Sequence, residues 1–299
     1  ISERKIMRFY KGIFYILLLF ASSFILAKPA YAAENELIWG GERSIYYSGI
    51  GKASDEFYKA TGIKVIIIPG GCPLGSKGVA SGKLDVGGLC CRPKEEEITK
   101  LGLKAFPLAY DALVIIVNNS NSITNLTMQQ VRDIFMGKIK NWKEVGGNDR
   151  PIKLVTRLHC KDREDNWKQI LSSAELFAKE KKNVAEDQEV LLAVNNDKDA
   201  FGFILLSMVN RRYVKVINMD GITPSRESLI DQTYPWKMTD YMVTKGEPTG
   251  NKKKFIDYLF GEGRKHLSKD LAFVDEVKAK PVKKKASKVL KEKPAKKKL

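Results

Sequence analysis

Histidine and cysteine are scarce in this sequence, which contains two histidines and four cysteines among 299 residues. The cysteines form no Cys-x-x-Cys pair, and the chain has neither a Ser-His-Asp spacing nor a phosphate-cradling loop of the nucleotidase kind. Enzymes with a serine nucleophile and nucleotide-hydrolysing enzymes depend on such arrangements. We therefore predict that the protein is not an enzyme and that it holds no cofactor.

Acidic residues are also few: 35 aspartates and glutamates stand against 52 lysines and arginines, which gives a net charge of +17. The excess is concentrated at the two ends of the chain. Residues 1–32 carry +4 and residues 277–299, with eleven lysines and one glutamate, carry +10, which leaves +3 for residues 33–276. A nearly neutral central region argues against nucleic acid as a partner, because nucleic-acid binding requires concentrated positive charge on the folded domain.

Long apolar runs are absent except near the amino terminus. There, Ile13 to Leu26 follow basic residues and precede the small residues Ala30-Tyr31-Ala32, which is the three-part form of a secretory signal. The apolar run is shorter than the roughly 20 residues that cross a bilayer as a helix. We predict a signal peptide over residues 1–32, with cleavage after Ala32 or Ala33, and a soluble periplasmic protein. The alternative is an uncleaved membrane anchor.

The carboxyl-terminal residues 277–299 are a low-complexity stretch of lysine, alanine and proline with almost no large apolar side chains. Such a stretch cannot bury enough surface to offset the entropy of ordering, so we predict a disordered tail. The tail either contacts an anionic envelope surface through its charge or extends into solvent without a partner.

All four cysteines, Cys72, Cys90, Cys91 and Cys160, follow the predicted cleavage site. An even number of cysteines in an exported protein usually indicates disulfides. Four cysteines allow three full pairings, and the sequence does not choose among them. We therefore expect disulfide bonding without a defined connectivity.

Short apolar runs predict strands along the central region, and the run over residues 63–68 is rich in β-branched residues. The clearest runs are residues 63–68, 113–117 and 201–205. Helix-like patterns lie between them, so strand and helix alternate. This alternation predicts an α/β protein with open sheets covered by helices, in which ligands bind at the carboxyl ends of strands beside helix amino termini.

Three segments show the apolar spacing of an amphipathic helix. The apolar face of the first includes Phe57, and Gly62 provides its stop signal. The second runs from Thr127 to Met136 and begins with a capping box formed by Thr127 and Gln130. The third runs from Asp165 to Ala178.

The segment from Asn125 to Arg157 reads NLTMQQVRDIFMGKIKNWKEVGGNDRPIKLVTR. It closely resembles a stretch of the substrate-binding proteins of phosphate ABC transporters, which are periplasmic binding proteins. Further similar segments, among them GKLDVGGLCCRP and NNDKDAFGFILL, extend the resemblance over about Leu37 to Val274. The resemblance implies a two-lobed type II periplasmic-binding-protein fold, with a hinge between two open sheets.

The same resemblance implies a domain organisation and a function. Lobe 1 would comprise residues 33–115 plus 237–276, and lobe 2 would comprise residues 116–236. The protein would be an extracytoplasmic solute-binding protein that captures inorganic phosphate or a similar oxyanion. It would deliver this ligand to the membrane permease of an ABC importer.

Three of the family's four anion-binding loops map onto the first lobe. Ser44 falls on a hydroxyl donor of the first loop, whereas Cys72 and Cys91 replace serines of the second and third loops. Because both cysteines fall on ligand-facing positions, the resemblance implies that they lie within disulfide reach. Cys160, on lobe 2, would face them across the opening.

The fourth loop retains the family's arginine as Arg157. A planar guanidinium can bind two oxyanion oxygens at once, so we expect Arg157 to contact the anion. The alternative is a structural salt bridge. Lys161 and Arg163 fall within the family's Ser-Gly-Thr segment, where they either add positive charge to the site or face solvent.

The substituted serines leave a second hypothesis for the same scaffold. Cys72, Cys91, His159 and Cys160 offer three sulfurs and an imidazole, which would suit a soft-metal-binding or redox-gated carrier or sensor. Disulfide pairing is the simpler account in an oxidising compartment. The adjacency of Cys90 and Cys91 makes simultaneous ligation by both awkward.

Overall fold

The structure is a computed structural model that describes residues 35–160 and 166–277. The predicted signal peptide, residues 278–299 of the tail, and the candidate residues Lys161 and Arg163 lie outside the described residues. Within the described part of the chain, no helix has both the length and the apolar content that crossing a membrane requires.

Strands and helices alternate through most of the described chain, as predicted. The strands are β1 (Glu36–Glu42), β2 (Lys64–Gly70), β3 (Val86–Leu89), β4 (Leu103–Asn118), β5 (Asn125–Leu126), β6 (Lys153–Thr156), β7 (Lys181–Asn183), β8 (Ala200–Leu205), β9 (Val214–Val216), β10 (Asn218–Met219), β11 (Lys237–Lys245) and β12 (Ala272–Phe273). The α-helices are α1 (Arg43–Ile45), α2 (Gly51–Thr61), α3 (Cys72–Ala80), α4 (Glu95–Leu101), α5 (Met128–Phe135), α6 (Asp187–Asn196), α7 (Arg226–Ile230) and α8 (Gly250–Phe260).

Two of the three predicted helices are confirmed, together with their end signals. Helix α2 ends at Gly62, which has a left-handed backbone with φ of 71° and donates its N–H to the carbonyl of Tyr58. Helix α5 begins directly after Thr127, its N-cap residue. The Thr127 side chain accepts a hydrogen bond from the backbone N–H of Gln130, and the Gln130 side chain accepts one from the backbone N–H of Thr127. Both signals act within one helical turn, which is why the sequence pattern located them correctly.

The third predicted helix is wrong over its described part. Residues 166–178 form two single 3₁₀ turns, Trp167–Gln169 and Ala174–Leu176, instead of a continuous helix. The apolar side chains of this segment are buried by distant partners. Phe177, for example, lies 5.5 Å from Phe135 between ring centroids. Tertiary packing thus accounts for apolar residues that the pattern attributed to helical periodicity.

One long strand, β4, joins two halves of a mixed sheet with the order β2-β1-β3-β11-β4-β8-β6-β7. Residues 103–112 of β4 pair with β11, whereas residues 113–117 pair with β8. Strands β2, β1 and β3 are parallel in one half, and β7, β6 and β8 are parallel in the other. We call these halves, with their helices, the β1 side and the β6 side. The predicted α/β fold is confirmed, and its strands form a curled mixed sheet. The lobe boundaries remain a prediction.

Helix α3 packs directly on strand β3 because glycines occupy the contact. A Cβ atom at Gly87 would lie 2.6 Å from the carbonyl oxygen of Gly75, and one at Gly75 would lie 2.8 Å from the carbonyl oxygen of Gly88. Neither distance can accommodate a side chain without separating the helix from the strand. The close approach places Cys72, at the start of α3, against Cys90, just after β3.

A buried carboxyl marks the region where β4 changes partners. Asp111 is fully buried and accepts hydrogen bonds from the backbone N–H of Ser207 at 3.2 Å and from its hydroxyl. Burial raises the pKa of Asp111 to about 7, and the Ser207 hydrogen bonds offset only part of that effect. Repulsion from Asp270 raises the pKa of Asp111 further. Asp111 itself contributes to the raised pKa of buried Asp240.

We expect this carboxyl to make the protein less stable as the pH rises. The folded-state pKa of Asp111 lies above the unfolded value, so the folded state binds the proton more tightly and loses that advantage as the pH rises to about 7. Between about pH 5 and pH 8 the loss should be about 2–3 kcal/mol, since each pH unit below the folded pKa of about 7 contributes about 1.4 kcal/mol and the units above it contribute little. In Asp111→Asn, the free energy of unfolding measured with urea should change less between about pH 5 and pH 8 than it does in the unaltered protein. Equal pH dependence in the two proteins would contradict the assignment.

Candidate functional site

The candidate residues gather where parallel strands of the two sides end. On the β1 side, Ser44 follows β1, Cys72 follows β2 and Cys90 follows β3. On the β6 side, Arg157 follows β6 directly, and Asp187 begins helix α6 after β7. Carboxyl ends of parallel strands lie along the same sheet edge, which explains why residues far apart in sequence meet here.

Three cysteine sulfurs form a buried cluster on the β1 side. The Sγ atom of Cys90 lies 3.5 Å from that of Cys72 and 3.6 Å from that of Cys91. The ligating atoms of all three lie within 4.8 Å of one another. The backbone N–H of Cys90 also donates to the Cys72 sulfur at 3.4 Å.

Cys160 brings the fourth sulfur to this cluster from the β6 side. Its sulfur, that of Cys72 and a carboxylate oxygen of Glu42 lie within 4.8 Å of one another. Hydrogen bonds from the other three thiols, with Cys72 the largest contributor, lower the pKa of Cys160. Hydrogen bonds with Cys160 and Cys72, together with burial, raise the pKa of Cys90 and Cys91 well above the usual value.

Asn166 links this cluster to the backbone of the β6 side. Its side-chain nitrogen donates to the carbonyl of Cys160 at 3.1 Å and lies 3.8 Å from the Cys91 sulfur. The neighbouring Trp167 donates its indole N–H to the carbonyl of His159 at 2.5 Å. These contacts hold Cys160, which has a left-handed backbone with φ of 48°, against the other sulfurs.

Arg157 is the centre of a buried ion-pair network beside the sulfurs. Its Nη2 lies 3.1 Å from Glu42 Oε1, and its Nη1 lies 3.0 Å from Asp187 Oδ2. Nε donates to the carbonyl of Ala185 at 2.8 Å, and Nη1 lies 2.9 Å from His159 Nε2. These contacts leave one N–H of Nη2 without a partner among the described residues.

Burial and pairing oppose each other in this network. Burial disfavours the charged form of Arg157, but Asp187 and Glu42 raise the pKa of the guanidinium. Burial raises the pKa of Glu42, although Arg157 partly opposes it. Because Glu42 belongs to β1 and Arg157 follows β6, the ion pair joins the two sides. A second ion pair, Arg43 to Glu186 at 2.8 Å, does the same nearer the surface.

Ser44 contributes an unsatisfied polar group on the β1 side. The residue is 2% exposed, and its hydroxyl has no hydrogen-bond partner among the described residues. A buried hydroxyl without a partner is costly, typically about 1–3 kcal/mol. Such a group is well suited to donate to a bound ligand.

A cavity of about 340 Å³ leads to the cluster from solvent. Cys72 and Cys160 line it together with Pro73, Ser76, Lys77, Lys94 and Glu97. The cavity therefore gives a small ligand access to the sulfurs past two lysines.

A family model for a PBP superfamily domain matches residues 40–262, which is most of the chain. The chain belongs to the PBP superfamily. This confirms the resemblance found in the sequence, and the matched range includes both sides of the sheet.

Among the superfamily's phosphate-binding members, the phosphate-binding protein PstS of Bacillus subtilis is 29% identical to this chain over 197 residues. That match covers 64% of this chain and 64% of PstS, so the matched region spans somewhat less than two thirds of its relative.

Two solved structures have the same two-lobed fold. A phosphate ABC-transporter substrate-binding protein from Clostridium perfringens, solved with bound phosphate, is 27% identical with a TM-score of 0.73. The superposition covers 80% of this chain and 100% of that protein. An ABC-type phosphate transport receptor from Vibrio cholerae is 25% identical with a TM-score of 0.61, over 77% of this chain and 96% of the receptor.

The structure brings most of the predicted ligand residues of this PBP superfamily member together. Cys72, Cys91 and Cys160 belong to one cluster. His159 lies nearby, but both ring nitrogens are within hydrogen-bond distance of Arg157, Nε2 at its Nη1 and Nδ1 at its carbonyl. The expected disulfide is not confirmed, since all four cysteines are free thiols. The roles of the predicted ligand residues remain predictions.

Sequence reasoning missed Cys90 as part of the cluster, and it missed Glu42, Asp187 and Asn166. The adjacency of Cys90 and Cys91 argues against ligation by both, yet their two sulfurs lie on the same side of the chain, 3.6 Å apart. Glu42 carried a usable signal, since it ends a strand in a Gly-Gly-Glu segment where ligands of α/β proteins bind. Nothing in the local sequence indicates its pairing with Arg157.

Proposed function

We propose that this protein captures phosphate or a similar oxyanion outside the cytoplasmic membrane and delivers it to the permease of an ABC importer. The observation that carries the proposal is the match to the Clostridium perfringens protein with bound phosphate, over that protein's whole length. The similar proteins are binding proteins of phosphate transport, which supports a binding role without catalysis. They do not favour a metal-dependent or redox-gated carrier as the main function.

The site offers donors of the kind that an oxyanion requires. Ser44 has an unpaired buried hydroxyl, and Arg157 retains one N–H of Nη2. Lys77 and Lys94 line the cavity and would attract an anion towards the cleft. Pro73 has no N–H, so the start of helix α3 supplies fewer donors than a helix amino terminus usually does. Side chains would therefore carry much of the binding.

Isothermal titration calorimetry with phosphate, arsenate and sulfate tests the proposal, on reduced and on oxidised protein. We expect phosphate to bind most tightly. Ser44→Ala should weaken phosphate binding by about threefold to tenfold, since a neutral hydrogen bond contributes about 0.5–1.5 kcal/mol. Arg157→Ala should weaken it more than about tenfold, because charged hydrogen bonds are stronger.

Ser54→Ala is a matched control for Ser44→Ala. Ser54 is also buried and its hydroxyl also lacks a partner among the described residues, but it lies in the middle of helix α2. Its replacement should leave phosphate affinity unchanged. No heat of binding with any of the three anions, in either oxidation state, would overturn the proposed function.

We further infer export by way of residues 1–32 and action at the outer face of the membrane. The apolar run with its basic and small flanking residues supports this location. Lobe closure on the ligand, with the hinge near the change of pairing in β4, would present the loaded protein to the permease. Contact of residues 277–299 with an anionic envelope surface remains a prediction.

A further inference from the structure

The spacing of three cysteine sulfurs, those of Cys72, Cys90 and Cys91, is close to that of a tetrahedral metal site. An ion bound by four thiolates at about 2.3 Å has its sulfurs about 3.8 Å apart. The two measured sulfur–sulfur distances of the cluster are 3.5 Å and 3.6 Å. A disulfide would instead require about 2.05 Å between the sulfurs. The sulfurs of Cys72, Cys90 and Cys91 therefore lie close to the corners of one tetrahedral face, and the Cys160 sulfur lies within 4.8 Å of the Cys72 sulfur.

The sulfurs are donated by separate, well-supported elements. Cys72 begins helix α3, which the glycine contact holds against β3, and Cys90 and Cys91 follow β3. Cys160 comes from the β6 side, and its sulfur lies within 4.8 Å of the Cys72 sulfur. Cys72, Cys90 and Cys91 are buried, and Cys160 is half-buried at the cavity. Such a site would have three ligands on one side of the cleft and one on the other.

Groups around the sulfurs suit thiolate ligands. The Cys90 backbone N–H points to the Cys72 sulfur, and the Asn166 amide lies near the Cys91 sulfur. Hydrogen bonds of this kind orient and stabilise metal-bound thiolates. An ion of charge +2 with four thiolates carries a net charge of −2, and Lys77 and Lys94 line the adjoining cavity, where they would offset it.

We propose that Cys72, Cys90, Cys91 and Cys160 bind one thiophilic metal ion of the Zn²⁺ class in the cleft. Soft thiolate ligands in tetrahedral geometry favour Zn²⁺ over Mg²⁺ or Ca²⁺, which prefer oxygen. Each thiol that becomes a ligand releases its proton to solvent, so binding needs no oxidant or reductant. This metal site goes beyond phosphate capture and does not depend on it.

His159 is not a ligand in this assignment. Both of its ring nitrogens contact Arg157, so the ring would have to leave the ion-pair network to reach a metal. Glu42 is near Cys72 and Cys160, but its carboxylate pairs with Arg157. The four sulfurs, in contrast, can bind a metal without the loss of any existing ion pair.

The test uses the full chain, reduced and freed of metal, in phosphate-free buffer without oxygen. Co²⁺ is titrated first, because its thiolate charge-transfer absorption grows with the number of sulfur ligands and its visible bands report tetrahedral geometry. Zn²⁺ is then added to displace it. We expect one Co²⁺ per chain, a tetrahedral four-sulfur spectrum and complete displacement by Zn²⁺. Measurement on the unaltered chain does not depend on the folding of any variant.

Three variants identify the ligands. Cys72→Ser and Cys160→Ser should each weaken Zn²⁺ binding by at least about tenfold, and each should remove the absorption of one thiolate. The chain has no fifth cysteine to serve as a control. His159→Gln takes that place, because it keeps a hydrogen-bonding group beside Arg157 and should change Zn²⁺ affinity by less than about threefold.

Two outcomes would overturn the metal site. One is a reduced chain, with four thiols verified by mass spectrometry, that binds neither Co²⁺ nor Zn²⁺ through sulfur. The other is a loss of affinity in His159→Gln as large as that in Cys160→Ser, which would replace the four-sulfur assignment. Phosphate calorimetry on metal-free protein separates this result from the proposed function, since either ligand can bind in the absence of the other.

Discussion

Replacing Arg157 with alanine should lower the free energy of unfolding by about 3–5 kcal/mol, because it leaves buried carboxylates without their partner. Glu42 is 1% exposed and Asp187 is 8% exposed, and both pair with the guanidinium at about 3 Å. Without Arg157, these groups must either remain charged in a poorly solvated site or take up protons. Urea unfolding followed by tryptophan fluorescence measures the loss.

Arg43→Ala is the matched control for this prediction. Arg43 also joins the two sides through an ion pair, with Glu186, but its side chain is 41% exposed. Solvent-exposed pairs contribute at most about 1 kcal/mol, so this variant should be nearly as stable as the unaltered protein. Equal losses of unfolding free energy in Arg43→Ala and Arg157→Ala would show that the buried Arg157 ion pairs stabilise the protein no more than the exposed Arg43 pair does.

Replacing Phe135 with alanine should also lower the free energy of unfolding by about 3–5 kcal/mol, as large aromatic truncations in a core do. Phe135 is fully buried at the end of helix α5. Its ring lies 5.5 Å from that of Phe177, 4.9 Å from Phe201 and 5.6 Å from Phe203, measured between centroids. The truncation removes three aromatic contacts and leaves a cavity between α5 and strand β8. Thermal unfolding and urea titration both report the change.

Tyr58→Ala provides the aromatic control. Tyr58 lies on helix α2 and is 53% exposed, so its removal loses little buried area. Surface substitutions of this kind usually change stability by no more than about 0.5 kcal/mol. If Phe135→Ala lowered the free energy of unfolding no more than Tyr58→Ala does, the aromatic cluster would not be the core of the β6 side.

The network around Arg157 also bears on how an oxyanion would bind. In this structure the guanidinium forms ion pairs with Glu42 and Asp187 and hydrogen-bond contacts with His159 and the Ala185 carbonyl. An anion that takes more than the remaining N–H must compete with a carboxylate for the arginine. Opening of the two sides would break the Glu42 pair first, because that pair alone among these contacts joins β1 to the β6 side.

Local features of the fold could be predicted from the sequence because their causes lie within a few residues. The capping box of Thr127 and Gln130 and the stop at Gly62 each act within one helical turn. Short apolar runs marked β2, the second part of β4 and β8. The alternation of these elements predicts the fold class, and the long segment ending at Arg157 indicates the superfamily.

The tertiary structure alone decided how the site residues meet. Arg157 pairs with Glu42 across 115 residues, and the sulfurs of Cys72 and Cys90 meet across 18. Residues 166–178 show the same dependence on packing, because the distant ring of Phe135 helps to bury Phe177 although the segment forms no continuous helix. Sequence patterns report local geometry with periods of two or 3.6 residues. Which sheet edges face each other depends instead on how the whole chain packs, and that packing brings four thiols and a buried ion-pair network into one cleft.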